Sequence, residues 1–244
     1  MPTAAVVPIA SVASPTIEFI QTSLLPAFDL TPIARSEKLG LLSELDESQV
    51  KGCTKCGLCR GRTNTVYAAG DCDARVMFIG EGPGEEEDMT GIPFVGRSGK
   101  LLHKMIGAMG LSRDGEASRD GEPSKSIYIA NVVKCRPPEN RQPSPQETAA
   151  CSPYLMKQIE WVRPQVIVTL GLPATQLILG LKLPMGQMRG KWHAWRGIKV
   201  MPTYHPSYVL RSYNEQTRRA VWSDLQLVMI ELGLEISGVS SSPA

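Results

Sequence analysis

Arg75-Val76-Met77-Phe78-Ile79-Gly80-Glu81-Gly82-Pro83-Gly84-Glu85-Glu86-Glu87-Asp88 is the stretch that decides the fold. Its first half is a short apolar run with no polar alternation, the pattern of a strand buried on both faces. Three glycines and a proline then break the strand into a sharp turn where backbone can approach a ligand. Four consecutive acids follow, as at the start of a helix whose dipole favours negative charge. Strand, glycine turn and helix in that order describe the carboxyl end of a strand in an open α/β sheet, where such sheets bind ligands.

Further strands and helices extend this reading along the chain. Ser126–Val133, Gln165–Leu170 and Lys199–Tyr204 read as strands. Helices are expected after Ser98, from Gln146 to Val162, from Pro173 to Leu179 and from Glu215 to Leu232. Alternation of this kind predicts an α/β fold, a three-layer α/β/α sandwich around a four-stranded parallel sheet.

Three of these strand ends carry polar side chains suited to chemistry. The first delivers Glu81 and Glu87, the second Asn131, and the fourth His205, which Pro206 restrains. Asn is a residue that reads the edge of a nucleobase, and Phe94, between Gly91 and Gly96, is a candidate platform for a flat ring. A carboxylate, an amide and an imidazole in one crevice could serve several reaction types.

A second cluster is made of thiols. Cys53 and Cys56 form a C-x2-C pair with no strand before it, so a metal site is favoured over a redox pair. Cys135 and Cys151 supply two more thiolates, and four thiolates suit either zinc or an iron–sulfur cluster. Cys59 and Cys72 are left over as ordinary free thiols.

The chain has 244 residues, 42% hydrophobic and 20% charged, with a net charge of +2. This suits one globular domain with an appended segment. Overall charge indicates no polyanionic partner, but eight bases against one acid between Lys182 and Arg219 make a candidate phosphate-binding face. Residues 1–47 are rich in Pro, Ser, Thr and Ala and are expected to be a weakly ordered or loosely docked arm, with short helices at Ile17–Ile20 and Ser36–Leu45. The domain proper is expected over 48–236, an expanded surface loop at 112–125, and a disordered tail at 237–244. No segment is apolar and long enough to span a membrane, and the first basic residue is Arg35. A cytoplasmic, nucleoid-associated protein is expected.

Gly80–Asp88, the run Gly91-Ile92-Pro93-Phe94-Val95-Gly96, Asn131-Val132-Val133-Lys134-Cys135-Arg136-Pro137-Pro138-Glu139-Asn140-Arg141, and His205-Pro206-Ser207 together resemble the family 4 uracil-DNA glycosylases, the iron–sulfur members of their superfamily. The resemblance covers roughly residues 50–234, in order and with the family's spacings.

It implies a [4Fe–4S] cluster on Cys53, Cys56, Cys135 and Cys151, which orders Lys134 and Arg136 toward DNA phosphates. It implies uracil-containing DNA, single- or double-stranded, as the partner of a monomer that releases uracil and leaves an abasic site. Phe94 would stack on the base, Asn131 would read its O4 and N3 edge, the backbone at Gly82 would contact it, and His205 would donate to O2. Other branches of the superfamily carry an acid at the position of Gly82 and some a Tyr at that of Gly84. Water activation therefore falls to Glu81 or Glu87, and Glu87 is the candidate for filling the space beside C5. Tyr208, Val209 and Leu210 resemble a wedge for the gap left by a flipped base, with Arg211 on phosphate. No basic insert with a His lies between Lys134 and Cys151, so ordinary turnover is expected rather than a covalent DNA adduct. The N-terminal arm is a candidate contact for replication or repair proteins. The rival readings are a non-catalytic iron–sulfur DNA-binding module of the same fold and a zinc-bound nucleotide- or RNA-binding protein.

Overall fold

The computed structural model describes residues 20–21, 28, 31–113, 125–212 and 214–235. The loop expected at 112–125 and the tail at 237–244 lie almost wholly outside them, as does most of the segment before residue 31.

The described chain runs β1 (Ile20–Gln21), α1 (Arg35–Leu45), β2 (Ala68–Gly70), β3 (Val76–Gly80), α2 (Glu85–Thr90), α3 (Arg97–Ala108), β4 (Tyr128–Asn131), α4 (Pro145–Val162), β5 (Val166–Leu170), α5 (Leu172–Leu179), α6 (Met185–Met188), β6 (His193–Trp195), β7 (Ile198–Thr203), α7 (Pro206–Ser212) and α8 (Glu215–Leu232). The sheet order is β1-β6-β7-β5-β3-β4-β2. Its centre, β7-β5-β3-β4, is the expected set of four parallel strands. Antiparallel β2 and β6 extend the two sides, and β1 pairs in parallel with β6. These additions are two or three residues long, too short to show a period in the sequence. Ile20 is in a strand pairing, not in the helix expected there.

Every residue of β3, β4 and β5 is buried. Pleating sends Met77 and Ile79 to one face, where they meet Leu42 and Leu45 of α1, Leu155 and Ile159 of α4, and Ile178 of α5. Val76 and Phe78 go to the other face, against Leu102 and Ile106 of α3, Val209 of α7, and Val221 and Leu225 of α8. Helices on both faces explain why these strands are apolar throughout. Among the described residues, no helix is long and apolar enough to cross a membrane.

The arm expected over 1–47 is shorter than that boundary. Leu42 and Leu45 are buried in the core, and Arg35 pairs with Asp71 and with Asp73 at 2.7 Å. Lys38 reaches Asp73 at 2.9 Å and the carbonyl of Val162 at 3.3 Å. The only trio of ligand-type atoms within 4.8 Å among the described residues, Asp71, Cys72 and Asp73, is thus the seat of α1. Phe28 packs edge-on against Trp195, with ring centroids 5.5 Å apart.

Candidate active site and thiol cluster

Register brings the catalytic candidates to one edge. Gly80 is paired with Asn131 across β3 and β4, and Leu170 with Thr203 across β5 and β7. The turn after Gly80, the end of β4 and the His205 segment therefore leave the sheet on the same side. They surround a cleft of about 530 Å3 lined by Glu81, Gly82, Glu87, Phe94, Asn131 and His205, with Arg141, Ser207 and Arg211 at its margins.

Phe94 is held in place by its backbone. Its φ is +55°, in the left-handed region that non-glycine residues seldom occupy. Gly99 permits this, since a Cβ there would lie 2.0 Å from the Phe94 carbonyl oxygen. The Phe94 ring sits 5.8 Å from the His205 ring at 33°. A Cβ on Gly80 would come within 2.5 Å of both the Phe94 ring and Asn131 Oδ1, so the strand end must be glycine for the two to meet over it. Asn131 is 2% exposed, and its Oδ1 is buried with no hydrogen-bond partner. A buried orphan acceptor beside a cleft is a waiting contact for a donor on a ligand.

His205 is tuned to stay neutral. Its Nδ1 accepts the Ser207 backbone N–H at 3.1 Å and lies 2.8 Å from Ser207 Oγ. That acceptor role leaves the proton on Nε2, so the ring's free polar atom is a donor. Burial, and then the Arg211 charge, lower its pKa to about 4. Glu81 is shifted the other way: burial raises its pKa, and Arg211 partly opposes the rise.

The acidic run divides by task. Glu85 and Glu86 are exposed, while Glu87 and Asp88 are buried. Glu87 Oε1 accepts the N–H groups of Val95 and Gly96, both at 2.8 Å, and Oε2 accepts that of Gly84 at 3.0 Å. Of the two candidates for water activation, Glu87 is therefore the one already engaged by the fold. Its carboxylate lines the cleft but is occupied in clamping the glycine turn to the Phe94 loop. Asp88 receives the Thr63 N–H at 3.0 Å on each oxygen and so ties the thiol-bearing segment to α2.

Two DNA-contact expectations also change. Val209 is 2% exposed and packs in the core, so it cannot wedge into DNA. Tyr208, 41% exposed and stacked on Tyr204 at 4.9 Å, and the half-buried Leu210 remain at the surface with Arg211. Lys134 is 1% exposed and cannot face phosphate. Its Nζ instead donates to the Asn131 carbonyl at 2.9 Å and to Gln158 Oε1 at 2.7 Å. Arg136 lies at the rim, bonded to Asn140 Oδ1 at 2.8 Å and 3.6 Å from Glu85.

Cys53, Cys56, Cys135 and Cys151 line one small cavity, and Cys59 also reaches it. All are free thiols. The sulfurs receive donors: Lys134 N–H to Cys151 and Arg62 Nη1 to Cys135, both at 3.2 Å, and the Tyr154 hydroxyl to Cys53 at 3.3 Å. Such donors stabilise thiolate sulfur. Four thiols lining one cavity, with N–H and O–H donors already on three of them, could hold a thiolate-bound metal group.

Reasoning from sequence missed Ser207, Gln158, Arg62 and Tyr154. Ser207 was legible, two residues beyond the His. The other three owe their roles to contacts across distant segments and leave no local signal.

A sequence model described as the uracil DNA glycosylase superfamily matches residues 67–226. The chain is 46% identical over 187 residues to a type-4 uracil-DNA glycosylase of Thermotoga maritima, covering 76% of this chain and 92% of that protein. It is 42% identical to a protein of the same description from Saccharolobus solfataricus (76% and 84% covered) and 39% identical to one from Archaeoglobus fulgidus (74% and 88% covered).

Proposed function

This chain belongs to the uracil-DNA glycosylase superfamily, and we propose that it hydrolyses the N-glycosidic bond of a uracil flipped out of DNA, through Phe94, Asn131, His205 and Glu81. One observation carries the assignment of roles. The orphan Oδ1 of Asn131 and the His205 ring, 5.8 Å from that of Phe94, line a single cleft, and Nδ1 of that ring is already taken by the Ser207 N–H.

A base inside a duplex is out of reach, so the nucleotide must leave the stack, at a cost that is smallest for single-stranded or mismatched sites. The freed ring stacks on Phe94, while Asn131 Oδ1 accepts the N3–H and the amide nitrogen faces O4. When the C1′–N1 bond breaks, its electron pair goes to the base and negative charge develops at O2. The neutral His205 Nε2–H, already aimed, stabilises that charge. A donor of this kind is worth about 3–4 kcal/mol. The sugar left behind carries positive charge, which the Glu81 carboxylate favours from inside the cleft. Water adds its oxygen to C1′ and gives a proton to Glu81, and the base anion is protonated from solvent. Burial raises the basicity of Glu81 and so suits it to accept that proton.

The four thiols suit a [4Fe–4S] cluster, with Cys53, Cys56, Cys135 and Cys151 as its ligands. Those ligands lie on the segment before β2, the loop after β4 and the start of α4, and binding one cluster would cross-link the three. The substrate loops follow from that tie, because Lys134, between Asn131 and Cys135, holds the Asn131 carbonyl. Protein purified without oxygen should show an absorbance shoulder near about 400 nm, as thiolate-held clusters do.

Uracil release from single-stranded, U:G and U:A oligonucleotides tests the catalytic reading beside His205→Ala and Asn131→Ala. Release by the wild type and a loss of at least roughly a hundredfold in each variant are expected. DNA binding without release would instead identify a non-catalytic module.

A further inference from the structure

We infer that a basic groove between α3 and α8 holds the phosphates of the uracil-bearing strand on one flank of the flipped nucleotide. This rests on the glycosylase reading and extends it beyond the cleft.

The groove has a volume of about 350 Å3 and is lined by Arg97, Lys100 and Lys104 of α3, Arg218 of α8, and Leu210 of α7. The four basic residues are exposed. Among the described residues, Arg97, Lys104 and Arg218 have no carboxylate partner, and Lys100 meets Glu86 only at 4.0 Å. Three charges without a carboxylate partner lining one groove suit an anionic occupant.

Spacing favours a polynucleotide over a single anion. Residues 97, 100 and 104 fall on one face of a helix. Arg97 and Lys104 are separated by seven residues, about 10 Å of helix axis. That matches about three nucleotide steps of a stacked strand at 3.4 Å each.

The groove also joins the cleft. A second cavity of about 350 Å3 shares Arg97 and Leu210 with the groove, and Gly84, Glu87, Ser98, Ser207 and Arg211 with the uracil cleft. Glu85 and Glu86 form another wall of this connection. Phosphates are repelled from that wall and drawn to the α3–α8 side. Leu210 lies where the two cavities meet, so an apolar side chain stands beside the path at the point where a base has left the stack.

The test uses the full chain with its metal content intact. Lys104→Gln combined with Arg218→Gln removes two groove charges, and Lys157→Gln combined with Lys182→Gln removes two elsewhere. Binding of a fluorescent uracil-free single strand is measured against salt, which needs no catalysis. The groove variant should show a log Kd against log salt slope shallower by about 1.4, two contacts at ~0.7 each, while the control pair keeps the wild-type slope. A trinucleotide with central uracil is too short to fill the groove, so both variants should cleave it at the wild-type rate. An unchanged slope, or an equal change in the control, overturns the groove. Failure of the wild type to release uracil would overturn the catalytic reading alone, since the salt slope is read independently.

Discussion

The backbone N–H of Ser207 lies 3.1 Å from Nδ1 of His205 and takes up the ring's lone pair. The imidazole is thereby a fixed donor at Nε2, and burial keeps it uncharged down to about pH 4. Titration of His205 by NMR should therefore find no ionisation near the ordinary value of about 6.5. Between those two values the unfolded chain takes up a proton that the folded chain refuses. This contribution to stability is complete above about 6.5 and is lost as pH falls through about 4. Ser207→Ala keeps the N–H and should lower kcat by less than about tenfold, whereas His205→Ala should cost about 10²–10³-fold.

If Glu81 takes the proton of the attacking water, as proposed, it should set the acid limit of activity. Its raised pKa means that the folded state holds the Glu81 proton more tightly than the unfolded state does. Its effect on stability is most favourable at low pH and is lost as pH rises through the folded value. The acid limb of kcat/KM should lie above the ordinary carboxylate range and disappear in Glu81→Gln, whose residual rate should be flat across it. A limb unmoved by that substitution would assign the base elsewhere.

Glu87→Ala leaves three backbone N–H groups without their acceptor, one buried (Gly96) and two part-buried (Gly84 and Val95). Unsatisfied donors of this kind cost about 1–3 kcal/mol each before water relieves them. Denaturant melts should show a loss of that order, and KM for uracil-containing DNA should rise as the Phe94 loop loosens. Assays on thymine-containing DNA measure whether Glu87 also guards the space beside C5. Wild-type stability and kinetics in the variant would remove both roles.

Within α7, burial separates residues that share one turn. Val209→Ala should destabilise the fold by on the order of 1–3 kcal/mol and leave kcat intact. Tyr208→Ala and Leu210→Ala should leave stability unchanged and slow uracil release from duplex DNA more than from single strands, because only the duplex leaves a gap to fill.

Cys135→Ser and Cys151→Ser should lose the absorbance of the bound cluster, whereas Cys59→Ser should retain it. Iron content after anaerobic purification checks the set directly. Loss of iron in Cys59→Ser alone would redraw the ligand assignment.

Local chemistry made a large part of this protein legible. Apolar runs ending in glycine announced β3 and β5, whereas the capping box of Ser144 and Glu147 that starts α4, with bonds of 3.2 and 2.8 Å, was present in the sequence and went unread. The positions of Asn131 and His205 at strand ends followed from the same runs. Glu87 was harder to read, because a carboxylate in a helix's first turn looks the same whether it faces solvent, substrate or three backbone donors. Lys134 and Val209 were misread for a related reason: each adjoins a residue that is at the site.

The amino-acid sequence by itself determined the alternation of strand and helix, the sheet edge that carries the chemistry and the supply of four thiols, because these depend on residues near one another along the chain. Only the tertiary structure decided that His205 is buried and so kept uncharged, which acid of the run is engaged in the fold, and that α1 is docked on the domain. Those properties arise where segments distant in sequence exclude water together, and burial of that kind has no local signature.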